Sequence, residues 1–282
     1  MPIVFAPAGK PNSYGSRSFP HGLPDYLAEF GLNGFEFECG RGVNISKETY
    51  EAMPGIAVEH NISLSVHAPY FISLSSTEEE TRLKSIRYIL ETARAAKRLG
   101  AERIVVHSGS CGKMKREDAF ALALDTLKSA RNALDEQDLK DIIICPETMG
   151  KINQLGTLEE VLKLCAFDER MLPCVDFGHL NARTQGGIKS GEDYADIFDA
   201  VENKLGSERL RKMHIHFSKI EYTAGGEKTH LTFADTCFGP DYEPLMEEIY
   251  KRRAEPFIIC ESHGTQAEDA SLMKNYFGRL AK

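Results

Sequence analysis

The sequence has no long hydrophobic run and no excess of basic residues. Each apolar run is shorter than the roughly 18 residues that a helix needs to span a bilayer. The N-terminal stretch MPIVFAPAGKPNSYG has neither the basic segment nor the apolar segment of a secretory signal. We therefore expect a cytoplasmic protein without a membrane partner. We infer no obligate protein partner and expect a monomer.

The net charge of -8 lacks the basic balance that points directly to nucleic acid. Bound divalent cations would add positive charge where a phosphate binds, so the acidic balance lowers the prospect of a nucleic-acid substrate without excluding it.

Several catalytic and binding motifs are absent. The seven cysteines are scattered without a CxxC pair, which argues against a disulfide framework and against a thiolate zinc site. The first apolar run is not followed by GxGxxG, the phosphate loop of dinucleotide-binding folds. There is also no GxSxG, the nucleophile elbow of serine hydrolases. Cys145, Cys174 and Cys260 lie inside apolar runs, and we interpret them as small buried side chains.

Short apolar runs rich in Val, Ile and Phe recur along the chain and are typical of β-strands. Segments with a helical period separate most of them. Alternating strands and helices over this length predict an α/β fold, a single (β/α)8 TIM barrel that forms one domain over residues 1–282. The runs are PIVFAP (2–7), GFEFE (34–38), ISLSVH (62–67), RIVVHS (103–108), DIIICPE (141–147), LPCVDF (172–177), KMHIHF (212–217) and PFIICES (256–262).

The clearest helical pattern covers 77–99, where an apolar stripe of Leu83, Ile86, Ile89, Leu90, Ala93 and Ala96 ends before Gly100. Thr77 with Glu80, and Thr157 with Glu160, have the spacing of capping boxes that begin helices. Further helices are expected at 115–137 and near 46–59, 192–204, 240–253 and 267–280.

Imidazoles and carboxylates follow the predicted strands at their C-terminal ends, where TIM-barrel enzymes keep their active sites. A single histidine at a strand end is more often structural than a ligand, but here six consecutive strands provide such a group. Imidazole and carboxylate without thiolate suit zinc, manganese or iron. We therefore expect two or three divalent ions, with zinc favoured. The candidate ligands are His67, His107, Glu147, Asp176, His179, His214, His230 and Glu261.

The stretches SVHAPYFISL, IVVHSGS, CPETMG with GTLEEV, VDFGHL, MHIHFSK and CESHG resemble, in order and spacing, the endonuclease IV family of apurinic/apyrimidinic endonucleases. That family belongs to the xylose-isomerase-like TIM barrel superfamily. The resemblance runs over roughly residues 62–263. It implies a metal-dependent phosphodiester hydrolase that cleaves DNA 5′ to abasic sites, through attack by a metal-bridging hydroxide.

The resemblance also implies roles for single residues. His67, His107 and Glu147 would hold a first ion. Glu147 would bridge to a second ion that Asp176, His214 and Glu261 complete, and His179 with His230 would hold a third. Glu147 and Glu261 are the catalytic candidates. Tyr70 matches a side chain that enters the DNA, Phe71 would be an apolar wedge between bases, and Arg41 could contact a phosphate.

One position departs from the family pattern. The family has an Asp two residues before the histidine matched by His230, and this chain has Lys228 there. Lysine is a poor ligand with the wrong charge for a cation site. Glu227 or His216 could take the place of the missing carboxylate; otherwise the third ion would bind weakly or not at all.

Two alternatives remain open. A single-metal sugar isomerase or epimerase of the same superfamily would use the quartet Glu147, Asp176, His214 and Glu261. The additional His67, His107 and His230 favour the hydrolase, because a second metal site needs them and an isomerase does not. The other alternative is a barrel that stores or senses metal, or has lost activity. Lys228 favours it, and the fold alone does not decide between them.

Overall fold

A computed structural model describes residues 3–280 and contains ten β-strands. Eight of them are parallel and form a closed barrel, while β8 and β9 form an antiparallel hairpin outside it. The strands are β1 Val4–Pro7, β2 Gly34–Glu38, β3 Ser63–His67, β4 Arg103–Val106, β5 Ile143–Pro146, β6 Cys174–Asp176, β7 His214–Phe217, β8 Lys219–Thr223, β9 Gly226–Leu231 and β10 Phe257–Cys260.

The barrel closes through two sheets of four strands. One sheet has the order β1-β10-β7-β6 and the other β2-β3-β4-β5. A bridge between Ala8 and Glu36 joins β1 to β2, and a bridge between Glu147 and Cys174 joins β5 to β6. The prediction of a TIM barrel is confirmed, and each predicted apolar run contains the observed strand. Pro2 lies outside the described residues, as do residues 1, 281 and 282, and the extent of one domain over 1–282 stays a prediction.

Helices pack around the barrel. Ten α-helices and a 3-10 turn at Asn12–Tyr14 are present in the described chain. Within residues 3–280, no helix combines the length and apolarity needed to cross a membrane. The helices are α1 Leu23–Glu29, α2 Lys47–His60, α3 Glu79–Leu99, α4 Arg116–Glu136, α5 Leu158–Cys165, α6 Phe177–Arg183, α7 Gly191–Leu205, α8 Ser207–Arg211, α9 Glu243–Arg252 and α10 Gln266–Leu280.

The apolar stripe of α3 packs as its period predicts, with one exception. Ile89, Ala93 and Ala96 are buried, whereas Leu83 near the start of the helix is exposed. The helix ends at Gly100, whose positive φ of 80° is the left-handed conformation that glycine adopts without steric cost.

One of the two expected capping boxes is present. At α5 the Thr157 hydroxyl accepts a hydrogen bond from the Glu160 amide, and the Glu160 carboxylate accepts from the Thr157 amide. The box predicted at Thr77 was wrong, because α3 begins two residues later at Glu79 and its N-cap, Glu78, makes no side-chain cap. The Ser76 hydroxyl accepts a hydrogen bond from the Glu78 amide instead.

Among the elements that were not predicted from the sequence, α6 and the β8–β9 hairpin carry residues of the rim. Helix α6 begins directly after β6, where the Asp176 carboxylate caps it by accepting a 2.7 Å hydrogen bond from the His179 amide. The β8–β9 hairpin places Gly226 against the loop after β5. A Cβ at Gly226 would overlap the Gly150 carbonyl oxygen, so this close approach requires glycine.

The barrel interior is polar at its upper levels. Cys145, Cys174 and Cys260 are buried, which agrees with their interpretation as small core side chains. Glu36 and His216, by contrast, have no exposed surface at all. Buried charged groups are costly unless they are paired or hold a cation. The polar residues at this end of the barrel must therefore neutralise one another or bind a cation.

The contrast between the two capping sites predicts a difference in stability. Thr157→Ala removes a real cap and should lower the free energy of unfolding by about 1 kcal/mol. Thr77→Ala is the matched control and should stay within about 0.5 kcal/mol of the parent, because Thr77 is exposed and caps no helix. Urea denaturation measures both, and equal losses would contradict this assignment of the caps.

Candidate metal centre

The C-terminal ends of the barrel strands bring most of the predicted ligands to one rim. His67 and Asp176 are the last residues of β3 and β6, and Glu147 directly follows β5. His107 and Glu261 lie directly after β4 and β10. His179 comes from α6 and His230 from β9. Because parallel strands end at the same edge of the barrel, residues that are far apart in the chain meet here.

The Glu147 carboxylate lies at the centre of the cluster. Its Oε2 is 3.0 Å from His107 Nε2 and 3.3 Å from His67 Nε2. Its Oε1 is 3.1 Å from His216 Nδ1 and 3.4 Å from His179 Nδ1. Each oxygen therefore faces a different pair of imidazoles. This is the arrangement expected of a carboxylate that bridges two cations.

Asp176 and Glu261 each present a carboxylate oxygen suited to a cation. Among the described residues, Asp176 Oδ2 and Glu261 Oε2 are buried and have no hydrogen bond of good geometry. Asp176 Oδ2 does lie 3.1 Å from His179 Nδ1, but the contact is not well aligned. Burial raises the pKa of Asp176 well above its usual range, against the attraction of His179. Unsatisfied buried oxygens among imidazoles fit a divalent ion.

His216, rather than the predicted His214, is the histidine of β7 that faces this cluster. His216 Nδ1 lies 3.1 Å from Glu147 Oε1 and 3.2 Å from Glu261 Oε1. His214 lies two residues earlier on the strand, deeper in the barrel, with its Nε2 3.1 Å from Glu36 Oε2. Strand alternation points both rings inward, so periodicity could not decide which one reaches the rim. A role for His214 as a ligand stays a prediction.

A third group of ligand atoms lies beside the hairpin. Glu227 Oε2 is 3.4 Å from His179 Nε2, and Glu227 Oε1 is 3.9 Å from His230 Nε2. These three residues form one of the groups whose ligand atoms lie close enough to hold an ion. Lys228 points away and pairs with Glu221 at 2.5 Å. The position of the missing aspartate is thus covered by Glu227.

A β-bulge in the hairpin explains how Glu227 reaches the site. Tyr222 pairs with Glu227 and Glu221 pairs with Thr229, so Lys228 is the extra residue on β9. A bulge shifts the alternation of side chains by one position. Glu227 and His230 therefore point to the same side although they are three residues apart.

Two carboxylates of β2 were missed by the sequence reasoning. Glu36 is fully buried beside His214 and His216, and Glu38 belongs to a group of ligand atoms with Glu36 and Glu261. Their signal was available in GFEFE, where Phe35 and Phe37 pack in the main core and the two glutamates share the opposite face. Charged residues on the inward face of a barrel strand indicate a functional layer.

The ionisable groups at the rim shift one another's pKa values strongly. Burial alone would raise the pKa of Glu147, but the charge of His216 and a hydrogen bond with His107 outweigh it and hold the pKa well below its usual range. Burial would lower the pKa of His67, but Glu38 and Glu147 outweigh it and raise that pKa to about 10. Without cations, protonated imidazoles neutralise the buried carboxylates.

The predicted DNA-contacting residues lie around this rim. Tyr70 is 56% exposed, stacks on His107 with ring centroids 5.5 Å apart, and donates a 3.3 Å hydrogen bond to Glu38. Phe71 is 54% exposed and tilts against Tyr88. Arg41 is exposed in the segment after β2. The two aromatic side chains are open to a ligand that approaches the metal centre.

The family model for a xylose isomerase-like TIM barrel matches residues 24–276. The chain belongs to this family. An uncharacterised protein of Methanocaldococcus jannaschii is 33% identical over 97% of both chains. A probable endonuclease 4 of Shouchella clausii is 28% identical over 70% of this chain and 69% of its own. The resemblance to endonuclease IV inferred from the motifs is confirmed.

Solved structures agree on the fold. Endonuclease IV from Thermus thermophilus superposes with a TM-score of 0.71 at 20% identity, covering 99% of this chain and all of its own. A D-tagatose 3-epimerase-like protein superposes with a TM-score of 0.74 at 17% identity, with the same coverage. At these identities the likeness concerns the barrel alone. The choice of reaction therefore depends on the residues at the rim.

The raised pKa of His67 predicts that metal affinity increases with pH. Between the ordinary histidine pKa of 6.5 and about 10, the metal-free protein keeps a proton on His67 that a ligated ion must displace. The logarithm of the apparent Zn²⁺ affinity should rise by about one unit per pH unit for each displaced proton. Competition with a chelator between pH of about 6.5 and 8.5 measures this slope. His263→Asn, which removes an exposed histidine, should leave it unchanged, and a flat profile would contradict the assignment.

The hairpin offers a second test with a natural control in the neighbouring residue. Glu227→Gln should weaken binding of one ion at least about 10-fold, because it removes the charged oxygens shared by His179 and His230. Lys228→Met should leave every ion bound, because Lys228 pairs away from the site. Calorimetric titration with Zn²⁺ reads the number and affinity of ions. Loss of an ion in Lys228→Met alone would overturn this assignment.

Proposed function

We propose that this protein is a metal-dependent phosphodiester hydrolase that cleaves DNA 5′ to abasic sites. The observation that carries the proposal is the position of Glu147. Its two carboxylate oxygens face separate imidazole sets, one from β3 and β4 and the other from β7 and α6. A site for one ion needs no such division, whereas a carboxylate shared by a pair of ions accounts for it.

The number of ligands supports the same conclusion. His67 and His107 exceed what a quartet of two Glu, one Asp and one His requires. His179, Glu227 and His230 form a further set. We infer two ions around Glu147 and a third at the hairpin, with zinc favoured by the mixture of imidazole and carboxylate.

Ions held by Glu147 and the surrounding imidazoles would supply positive charge for both the attacking and the leaving oxygen of a phosphodiester displacement, and would lower the pKa of bound water. The chain's own residues would bind the ions and would orient and enclose the substrate. Glu147 holds the two halves of the centre together. Glu261 Oε1 lies 3.2 Å from His216 Nδ1, and the buried Glu261 Oε2 has no hydrogen-bond donor among the described residues, so it is available to hold a cation or to accept a hydrogen bond from a bound water.

The exposed aromatic pair fits a nucleic-acid substrate. Tyr70 and Phe71 stand at the mouth with more than half of each side chain accessible. Aromatic wedges of this kind enter a duplex and unstack its bases, at a cost that is lowest where a base is missing. Arg41 after β2 would contact a phosphate. The relatives named as probable endonuclease 4 support this substrate class.

A sugar epimerase that uses one ion is the second candidate. The quartet Glu147, Asp176, His216 and Glu261 could serve it, and the epimerase-like structure with a TM-score of 0.74 shares the barrel. The imidazoles of β3 and β4 have no part in that mechanism. A single bound ion per chain would favour this alternative.

The deciding experiment uses full-length protein of measured zinc content and a duplex with one abasic site. We expect a nick on the 5′ side that a chelator abolishes and zinc restores. Glu147→Gln should lower the rate at least about 100-fold and loosen two ions. The matched control is Glu159→Gln, the same change on the exposed face of α5, which should keep full activity. An intact duplex, together with turnover of a ketose by protein holding one ion, would refute the proposal.

A further inference from the structure

Glu36 lies in the barrel below the rim and faces two histidines of β7. It has no exposed surface, and neither His214 nor His216 has any. Its Oε2 accepts a 2.7 Å hydrogen bond from the Ser65 hydroxyl and lies 3.1 Å from His214 Nε2. Its Oε1 lies 3.0 Å from His216 Nε2. The carboxylate therefore divides its two oxygens between the two rings.

Oε1 is the oxygen that still needs a donor. Among the described residues it is buried and has no hydrogen bond of good angle, although His216 Nε2 is 3.0 Å away. His216 Nε2 also lies within hydrogen-bonding distance of His214 Nε2, at 3.2 Å, and both rings face the same carboxylate. A buried carboxylate oxygen without a donor is costly. A protonated His216 Nε2, 3.0 Å away, can supply the missing donor to Glu36 Oε1.

The two nitrogens of His216 have opposite surroundings. Nε2 faces Glu36 in the barrel interior, whereas Nδ1 faces Glu147 and Glu261 at the rim, at 3.1 and 3.2 Å. A neutral imidazole carries one proton, so a proton held at Nε2 leaves the lone pair on Nδ1. Ligating histidines generally donate their other N–H to a carboxylate in this manner.

We propose that Glu36 is a positioning residue that holds the proton of His216 on Nε2 and so presents Nδ1 to the metal centre. The proposal rests on the metal-dependent function proposed above, but not on the identity of the substrate. Ser65 and His214 hold the carboxylate from its other oxygen. The His214 ring in turn stacks on the Phe257 ring, with centroids 5.3 Å apart, and this contact fixes the orientation of His214.

Glu36→Gln is the test, with Zn²⁺ affinity as the readout. The amide cannot supply the negative charge that fixes the His216 proton, so the affinity at the rim should fall about 10-fold to 100-fold. Glu160→Gln is the matched control, because Glu160 is a largely buried carboxylate of the α5 capping box whose hydrogen bonds go to Arg116 and to the Gly156 and Thr157 amides, not to a candidate ligand. It should lower thermal stability and leave Zn²⁺ affinity unchanged. Parent-like Zn²⁺ affinity in Glu36→Gln, or an equal loss in both variants, would overturn the proposal.

A spectroscopic measurement on the parent protein keeps the proposal testable even if Glu36→Gln does not fold. Long-range ¹H–¹⁵N correlation of the zinc-loaded protein should show His216 protonated at Nε2 and ligated through Nδ1. Ligation through Nε2 would refute the inference. If the parent binds no zinc, the proposed function fails. If it binds zinc through Nδ1 but leaves abasic DNA intact, only the substrate assignment fails.

Discussion

The burial of the Glu147 carboxylate among imidazoles is the interaction on which the rest of the site depends. An ionised carboxylate removed from water costs several kcal/mol unless its neighbours compensate. Here the compensation comes from β3, β4, β7 and α6, so four separate elements must be in register before the charge is tolerated. The compensation is therefore complete only in the folded barrel.

The charges at the rim demand a partner of positive sign. Glu36, Glu147, Asp176 and Glu261 lie in neighbouring groups of ligand atoms, and without cations protons balance them, on histidines such as His67 and on Asp176 itself. Protons and metal ions compete for the same imidazole nitrogens. The metal-free cluster is thus stabilised by protons in the positions that cations would take. Bound cations would add positive charge at the rim, so a chain with a net charge of -8 could still present a locally favourable site to a phosphate.

The barrel and most of the rim could be predicted from the sequence because each depends on local pattern. A strand run that ends in His67 or Glu147 places that residue at the rim wherever the run lies in the chain. The height of a residue along the barrel axis could not be predicted in this way, because it depends on how neighbouring strands align. Asp176 is in register with His216 and not with His214, and this pairing is a property of the closed sheet.

The β8–β9 hairpin is a second case in which the sequence pattern could not predict which side chain faces the site. Spacing to His230 placed Lys228 at the position of the missing carboxylate, which would weaken a third ion. The bulge at Lys228 is invisible in the pattern of apolar and polar residues, yet it turns Glu227 inward and the lysine outward. The hairpin therefore brings a carboxylate beside His179 and His230 although the residue two positions before His230 is a lysine.

The candidate ligands alone do not define this site, because the residues below the rim, such as Glu36, also orient the rings above them. The quartet of two Glu, one Asp and one His suits both a phosphodiesterase and an epimerase. What differs is how many further ions the surrounding residues support and how firmly each ring is oriented. Glu36 lies under His216, and His67 with His107 stands across Glu147 from it. A centre for several ions needs each imidazole to commit one nitrogen to the rim. Residues that hold the opposite nitrogen are therefore part of what selects the chemistry on this barrel.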